Sequence, residues 1–160
     1  MQISPIFWRN RKVLITGHTG FKGSWLSLWL QHLDAKVIGV SLDPPTNPNI
    51  YQQAEVGSNM ISLRQDIRNG KEVKKLFQEH QPEIIFHLAA QPLVRYSYKN
   101  PVETYETNVM GTIHVLEAIR CTDSVQASVL ITTDKCYQNR EWSRGYREID
   151  PMGGQDPYSS

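Results

Sequence analysis

At 160 residues the chain is long enough for one domain with a buried core, so it has no need of a disulfide scaffold. Seventeen Lys and Arg against sixteen Asp and Glu leave a net charge of +1, which excludes a bulk field suited to nucleic acid or to an anionic membrane surface. Two cysteines, Cys121 and Cys136, lack metal-ligand spacing; they argue against a stapled secreted fold and for a reducing compartment, the cytoplasm.

The opening Met1 to Asn10 has neither the basic start nor the unbroken apolar stretch of an export signal. Val13–Ile15 is the first strand candidate, and a glycine turn after it opens a helix over Phe21–Leu33. Lys22, Ser24, Ser27, Gln31 and His32 interrupt that apolar run, so it reads as a buried helix and not as a bilayer span. Val37–Val40 is the second strand, and Asp43–Asn49 with its prolines is a surface loop. Met60–Leu63, a helix over Gly70–His80, and Glu83–Leu88 follow. Asn100-Pro101 supplies a cap and first-turn proline for a helix over Val102–Arg120, where Val102, Tyr105, Val109, Ile113, Leu116 and Ile119 recur at helical spacing. Ala127–Thr132 is the fifth strand, and Asn139–Asp156 is a long irregular connection. Trp8, Trp25, Trp29 and Trp142 read as packing residues.

Short β-branched strands alternating with helices give an α/β class: a Rossmann-like, doubly wound parallel sheet, incomplete in this chain. Residues 1–160 read as one dinucleotide-binding domain. Right-handed crossovers predict strand order 3-2-1-4-5, with ligands beside strand 1 where the order reverses. Asp156-Pro157 offers a cap and first position for another helix close to the last residue, so the chain reads as a fragment without a C-terminal substrate domain.

Thr16 to Gly23 has the spacing of a dinucleotide turn lengthened by one residue. Gly17 serves the tight turn, Gly20 the approach of backbone to a pyrophosphate, and Gly23 the packing of helix on sheet. The helix N-terminus then supplies an anion site that net charge does not. Thr19, Phe21 and Lys22 belong to this turn; His18 either touches phosphate or fills the loop. For the ribose, the candidates are Asp43 and, at the end of the strand itself, Ser41. No Arg stands just after that strand to pair a 2′-phosphate, which favours NAD over NADP. Asp66 can accept from an adenine amino group while Ile67 covers the ring, and Leu88-Ala89-Ala90 lets a flat cofactor lie against backbone. His87 reads as a satisfied core histidine. No cluster has metal spacing.

The glycine motif, Asp66-Ile67, Leu88-Ala89-Ala90, Asn108, the Thr132-Thr133-Asp134-Lys135 segment and Tyr158 resemble, in order, the extended short-chain dehydrogenase/reductase family. Within it, the sequence is most similar to the nucleotide-sugar 4,6-dehydratases, with Lys135 standing where the CDP-glucose branch has lysine and others have glutamate. The resemblance implies bound NAD, CDP-glucose as substrate, and a homodimer or homotetramer paired through the Val102–Arg120 helix and the one beginning near Tyr158. It implies that Thr133 hydrogen-bonds the sugar O4 and that Tyr158 takes the O4 proton. Asp134 is the candidate acid for the leaving C6 hydroxyl, Lys135 the candidate base at C5, and Asn108 orders water and backbone for proton relay. Gln91, Arg95 and Tyr96 are candidate substrate contacts. The lysine partner of Tyr158 is expected four residues beyond it, past Ser160. A tyrosine at its ordinary pKa of ~10 is a poor base at neutral pH, so the chain alone is expected to be inactive. Two other readings stand beside this one: a sibling 4-epimerase or dehydratase, and a non-catalytic nucleotide-binding domain.

Overall fold

The computed structural model describes residues 4–160; the first three residues of the N-terminal stretch lie outside it. A short helix α1 (Pro5–Trp8) precedes strand β1 (Lys12–Thr16), helix α2 (Phe21–His32) and strand β2 (Lys36–Ser41). A short helix α3 (Ile50–Gln53) and a 3-10 turn (Val56–Asn59) lead to β3 (Ile61–Arg64), then α4 (Gly70–His80) and β4 (Ile84–His87). Beyond these lie α5 (Val94–Lys99), α6 (Pro101–Tyr105), a π turn (Glu106–Met110), α7 (Gly111–Arg120) and β5 (Ala127–Leu130).

The five strands form one parallel sheet in the order β3-β2-β1-β4-β5, the order predicted from crossover handedness. Its central strands β1, β2 and β4 are buried on both faces, as their continuous apolar runs require, whereas the edge strands β3 and β5 are largely half-buried or exposed. One face packs Leu14, Ile38, Val40 and Ile85 against Val73 and Phe77 of α4 and Val115 and Ala118 of α7. The other packs Val13, Ile15, Val37 and Ile84 against Leu30 of α2 and Trp8.

Helix α4 begins where Asn69 Oδ1 accepts the Glu72 N–H, an N-cap on an amphipathic segment. The helix read as Val102–Arg120 is real but contains the π turn, and Asn100 makes no side-chain cap; Pro101 at the first position and the Asn100 carbonyl, which accepts from Thr104, start it instead. Its apolar stripe also faces outward. Val102, Tyr105, Val109, Ile113 and Leu116 are exposed, while Gly111, Val115 and Ala118 make the core face. Periodicity identifies a helix but cannot say which of two apolar faces meets the sheet. The packing role read for Trp25 and Trp29 is likewise corrected: they are 56% and 50% exposed, because the smaller Gly23, Ser24 and Ser27 occupy the face of α2 against the sheet. Trp8 does pack, on Phe86, and Trp142 packs on Tyr146 between Arg140 and Arg144.

Leu14 is fully buried between α4, α7 and the sheet. Leu14→Ala is expected to lower the unfolding free energy by roughly 2–5 kcal/mol, read as a shifted urea midpoint with unchanged slope.

Candidate active site

The glycine turn, Ser41, Asp43, Asp66, His87, Leu88-Ala89-Ala90 and Thr132-Thr133 lie at or just beyond the C-terminal ends of the parallel strands, and the turn after β1 occupies the point where the strand order reverses. Gly17 has φ +78°, and a Cβ there would sit 2.8 Å from the Ala89 nitrogen. A Cβ on Gly23 would overlap the Gly17 carbonyl, so this glycine lets α2 close onto the turn. Gly20 is the N-cap of α2 with no side-chain cap, and a Cβ there would meet only the Gly17 carbonyl oxygen at 3.3 Å. The first-turn N–H groups of Phe21, Lys22 and Gly23 have no intrahelical acceptors, and no acidic side chain stands in that turn. This cradle of bare backbone fits a diphosphate, and Phe21 and Lys22 at its rim are exposed.

The side chains of the turn point the other way. Thr19 is buried, donates to the Leu42 carbonyl at 2.9 Å and therefore accepts from the Ser41 hydroxyl at 2.7 Å, tying the turn to the end of β2. Ser41 is thus committed to Thr19, leaving Asp43, whose side chain is 88% exposed, as the carboxylate at that strand end. The phosphate contact considered for His18 is not available. Its ring is fully buried over Gly39, with Nε2 2.8 Å from the Ser62 hydroxyl and an edge against Tyr51. Burial, and next to it the Arg64 cation, push its pKa down to about 4.

Asp66 accepts from the Arg68 backbone and side chain, the shortest contact being 2.6 Å, and this pairing holds its carboxyl below the usual range. The ring-covering role of Ile67 is corrected: its side chain is 4% exposed and packs into the space above Gly111. Leu88 and Ala89 donate their N–H groups to the Thr16 hydroxyl, while Ala90 is exposed.

Thr16 Oγ1 accepts those two bonds and so donates to His87 Nδ1 at 2.6 Å, leaving the proton of this neutral imidazole on Nε2. Nε2–H then faces Thr112 Oγ1 at 3.1 Å, and Thr112 donates to the Asn108 carbonyl at 2.6 Å. Burial lowers the His87 pKa to about 4, as a satisfied core histidine requires. Asn108 itself lies in the π turn, a departure from helix geometry that often marks a functional position. Its Oδ1 accepts from the Gln91 N–H at 2.8 Å and its Nδ2 donates to the Gln91 carbonyl at 3.0 Å. The side chain of Gln91 is committed as well, to Leu93 and Thr104, so it shapes the loop and is not free for a substrate. Tyr96 donates to Glu103 at 2.6 Å, and Arg95 is exposed.

After β5, Ile131 still donates to the His87 carbonyl, carrying Thr132 and Thr133 to the sheet edge. Thr133 caps a 3-10 turn (Asp134–Cys136) by accepting from the Lys135 N–H, and Thr132, Asp134 and Lys135 are exposed. The Tyr137–Met152 bridge folds the chain back on this turn. Asp156 then accepts from the N–H groups of Tyr158 and Ser159, the cap read from the sequence, and Ser160 meets the Tyr105 hydroxyl at 2.6 Å. Tyr158, half-buried, is held by its N–H to Asp156, two residues before the Ser160 hydroxyl that ties this end of the chain to Tyr105 of α6.

A residue that sequence reading overlooked is Arg64. No arginine follows β2, yet the adjacent β3 delivers Arg64 to Asp43 with a bond of 2.8 Å. Only the strand pairing, Ser41 opposite Arg64, reveals this. Among the described residues no group of His, Cys, Asp and Glu could hold a metal ion, and no helix is long and apolar enough to cross a membrane.

A five-stranded parallel sheet that reverses its order beside a bare glycine turn defines a Rossmann-like fold of the short-chain dehydrogenase/reductase type. The family model described as GDP-mannose 4,6 dehydratase matches residues 14–160, and the chain belongs to that family. It is 54% identical to a CDP-glucose 4,6-dehydratase of Salmonella typhimurium over 99% of its own length and 44% of the relative's. It is 30% identical to a dTDP-glucose 4,6-dehydratase of Xanthomonas campestris over 92% of its length and 44% of the relative's. Among solved structures it resembles a UDP-glucose 4-epimerase of Stenotrophomonas maltophila with bound NAD and formylated UDP-arabinopyranose, with TM-score 0.79 and 26% identity, covering 94% of this chain and 45% of the other. The chain spans less than half the length of these relatives.

The two buried histidines set an acid limit. Both rings are neutral when folded and bind protons more readily when unfolded, so stability present above pH 6.5 is lost as pH falls toward 4, on the order of 3 kcal/mol for each. Unfolding free energy is expected to decline between pH 6.5 and 5, above the range where carboxylates titrate. His87→Leu should flatten that slope while lowering stability at pH 7.

Proposed function

We propose that the protein carrying this chain is a CDP-glucose 4,6-dehydratase, which converts CDP-D-glucose to CDP-4-keto-6-deoxy-D-glucose and water with NAD recycled in each turnover. The reading rests on the Thr133-Asp134-Lys135 triplet beyond β5, at the sheet edge that also carries the glycine turn, in a chain 54% identical to such an enzyme. Residues 1–160 act as the NAD-binding domain, working in the cytoplasm, and a substrate domain completes the site.

The backbone at Gly17, Gly20 and Gly23 would hold the diphosphate of NAD, with Asp43 at a ribose, Asp66 at the adenine amino group, and Ala89-Ala90 beneath the flat rings. NAD held there would supply a temporary acceptor for the hydride that leaves sugar C4 and is needed again at C6. Thr133 hydrogen-bonds O4, and Tyr158 removes the O4 proton as C4 becomes a ketone. The ketone makes the C5 proton acidic; Lys135 removes it while Asp134 donates a proton to the C6 hydroxyl, which departs as water, and the proton held by Lys135 returns to C5 when C6 receives the hydride, leaving the 4-keto-6-deoxy sugar. Asn108 acts behind this chemistry by fixing the Gln91 backbone beside the β4 edge. Arg95 and Tyr96, on α5, flank the sugar-nucleotide side.

The full-length protein incubated with CDP-glucose should yield the strong alkaline absorbance of a 4-keto sugar, and Tyr158→Phe and Asp134→Asn should each reduce the rate by at least about 100-fold. The epimerases among the structural neighbours give a second reading, in which the C6 hydroxyl survives. A product that keeps its C6 oxygen would overturn the dehydratase assignment.

We further propose assembly as a homodimer or homotetramer through the helix α6–α7. Its exposed Val102, Tyr105, Val109, Ile113 and Leu116 support this, since a stripe of this kind is stable when covered. Ile113→Asp should shift the protein toward monomer in sedimentation with its circular dichroism unchanged.

A further inference from the structure

The pair formed by Asp43 and Arg64 is held more firmly than its surface position requires. Arg64 Nε donates to Asp43 Oδ1 at 2.8 Å, Nη1 lies 3.2 Å from the Ser62 hydroxyl, and the guanidinium stacks 5.0 Å from the centre of the Tyr51 ring. Tyr51 is itself fixed by a 2.7 Å bond to Ser62 and by the edge of His18. The guanidinium therefore has little freedom, and Asp43, an otherwise exposed side chain on a loop, takes its orientation from it. One carboxylate oxygen, Oδ2, and one guanidinium nitrogen, Nη2, make no hydrogen bond among the described residues. The end of β2 thus presents one spare acceptor and one spare donor side by side.

In a fold of this kind that strand end meets the adenosine ribose, where a carboxylate accepts from a 2′-hydroxyl and an arginine accommodates a 2′-phosphate. Here both groups are present and neutralise each other. Resting on the dinucleotide-binding reading above, we propose that Arg64 is a specificity-determining residue for the cofactor: it orients Asp43 toward a ribose diol, and Asp43 in turn withholds Arg64 from a 2′-phosphate. The preference for the unphosphorylated dinucleotide then resides in the pair and not in Asp43 alone. Asp43→Asn removes the negative charge, keeps the shape, and leaves a fixed, uncompensated guanidinium whose fork matches phosphate geometry.

The test is equilibrium binding of NAD and of NADP to the purified protein by titration calorimetry, with folding checked by circular dichroism. Asp43 is exposed, so the variant is expected to fold. The parent should bind NAD in preference to NADP. Asp43→Asn should bind NADP at least about tenfold more tightly than the parent does, and adding Arg64→Met to that variant should return NADP to the parental value. If Asp43→Asn leaves NADP affinity unchanged, or if the gain survives the loss of Arg64, this inference fails while NAD binding by the parent stands. If the folded parent binds neither dinucleotide, the dinucleotide-binding reading falls and takes this inference with it.

Discussion

The approach of three backbones at Gly17 and Gly23 is the constraint on which the rest of this structure depends. A single methyl group at either position would collide with main chain: with the end of β4 in one case, with the turn's own carbonyl in the other. Because both positions are bare, helix α2 starts directly at the sheet's reversal point with its first N–H groups unobstructed. The strand ends carrying Asp43, Asp66, Ala89 and Thr133 then lie on the side of the sheet where the uncapped end of α2 begins.

A division of labour follows within the turn. Its backbone faces outward, toward where a ligand would lie, while Thr19 and His18 reach inward to β2 and to the cluster of Ser62, Tyr51 and Arg64. The opposite side of the switch point is built differently. Asn108 grips both polar groups of the Gln91 backbone from a helix that has loosened by one residue at that point. A regular helix would place its side chains at different angles, so the irregularity is what brings the amide to the loop.

The strands, their order and the long helices were legible because each rests on a local signal: continuous β-branched runs, a 3.6-residue period, a cap, a glycine turn. What the sequence could not disclose concerns direction. The stripe from Val102 to Leu116 has perfect helical spacing yet faces away from the sheet, and Trp25 and Trp29 stand outside because Gly23, Ser24 and Ser27 fill the inner face of α2. His18, Ile67 and Gln91 sit in motifs that suggested ligand contact, but each is satisfied or buried by its own protein. Arg64 escaped notice for the converse reason, since its partner lies one strand away in space and 21 residues away in sequence. The short helices α1, α3 and α5 carry too few residues for a period to register.

The chain of bonds from Thr16 through His87 and Thr112 to the main-chain carbonyl of Asn108 joins β1, β4 and the π turn. Each member has a fixed proton direction, so none can reverse without breaking its neighbour. Opening the loop after β4 breaks bonds to both the first strand and the helix, so the amides of these three segments are expected to exchange with solvent together.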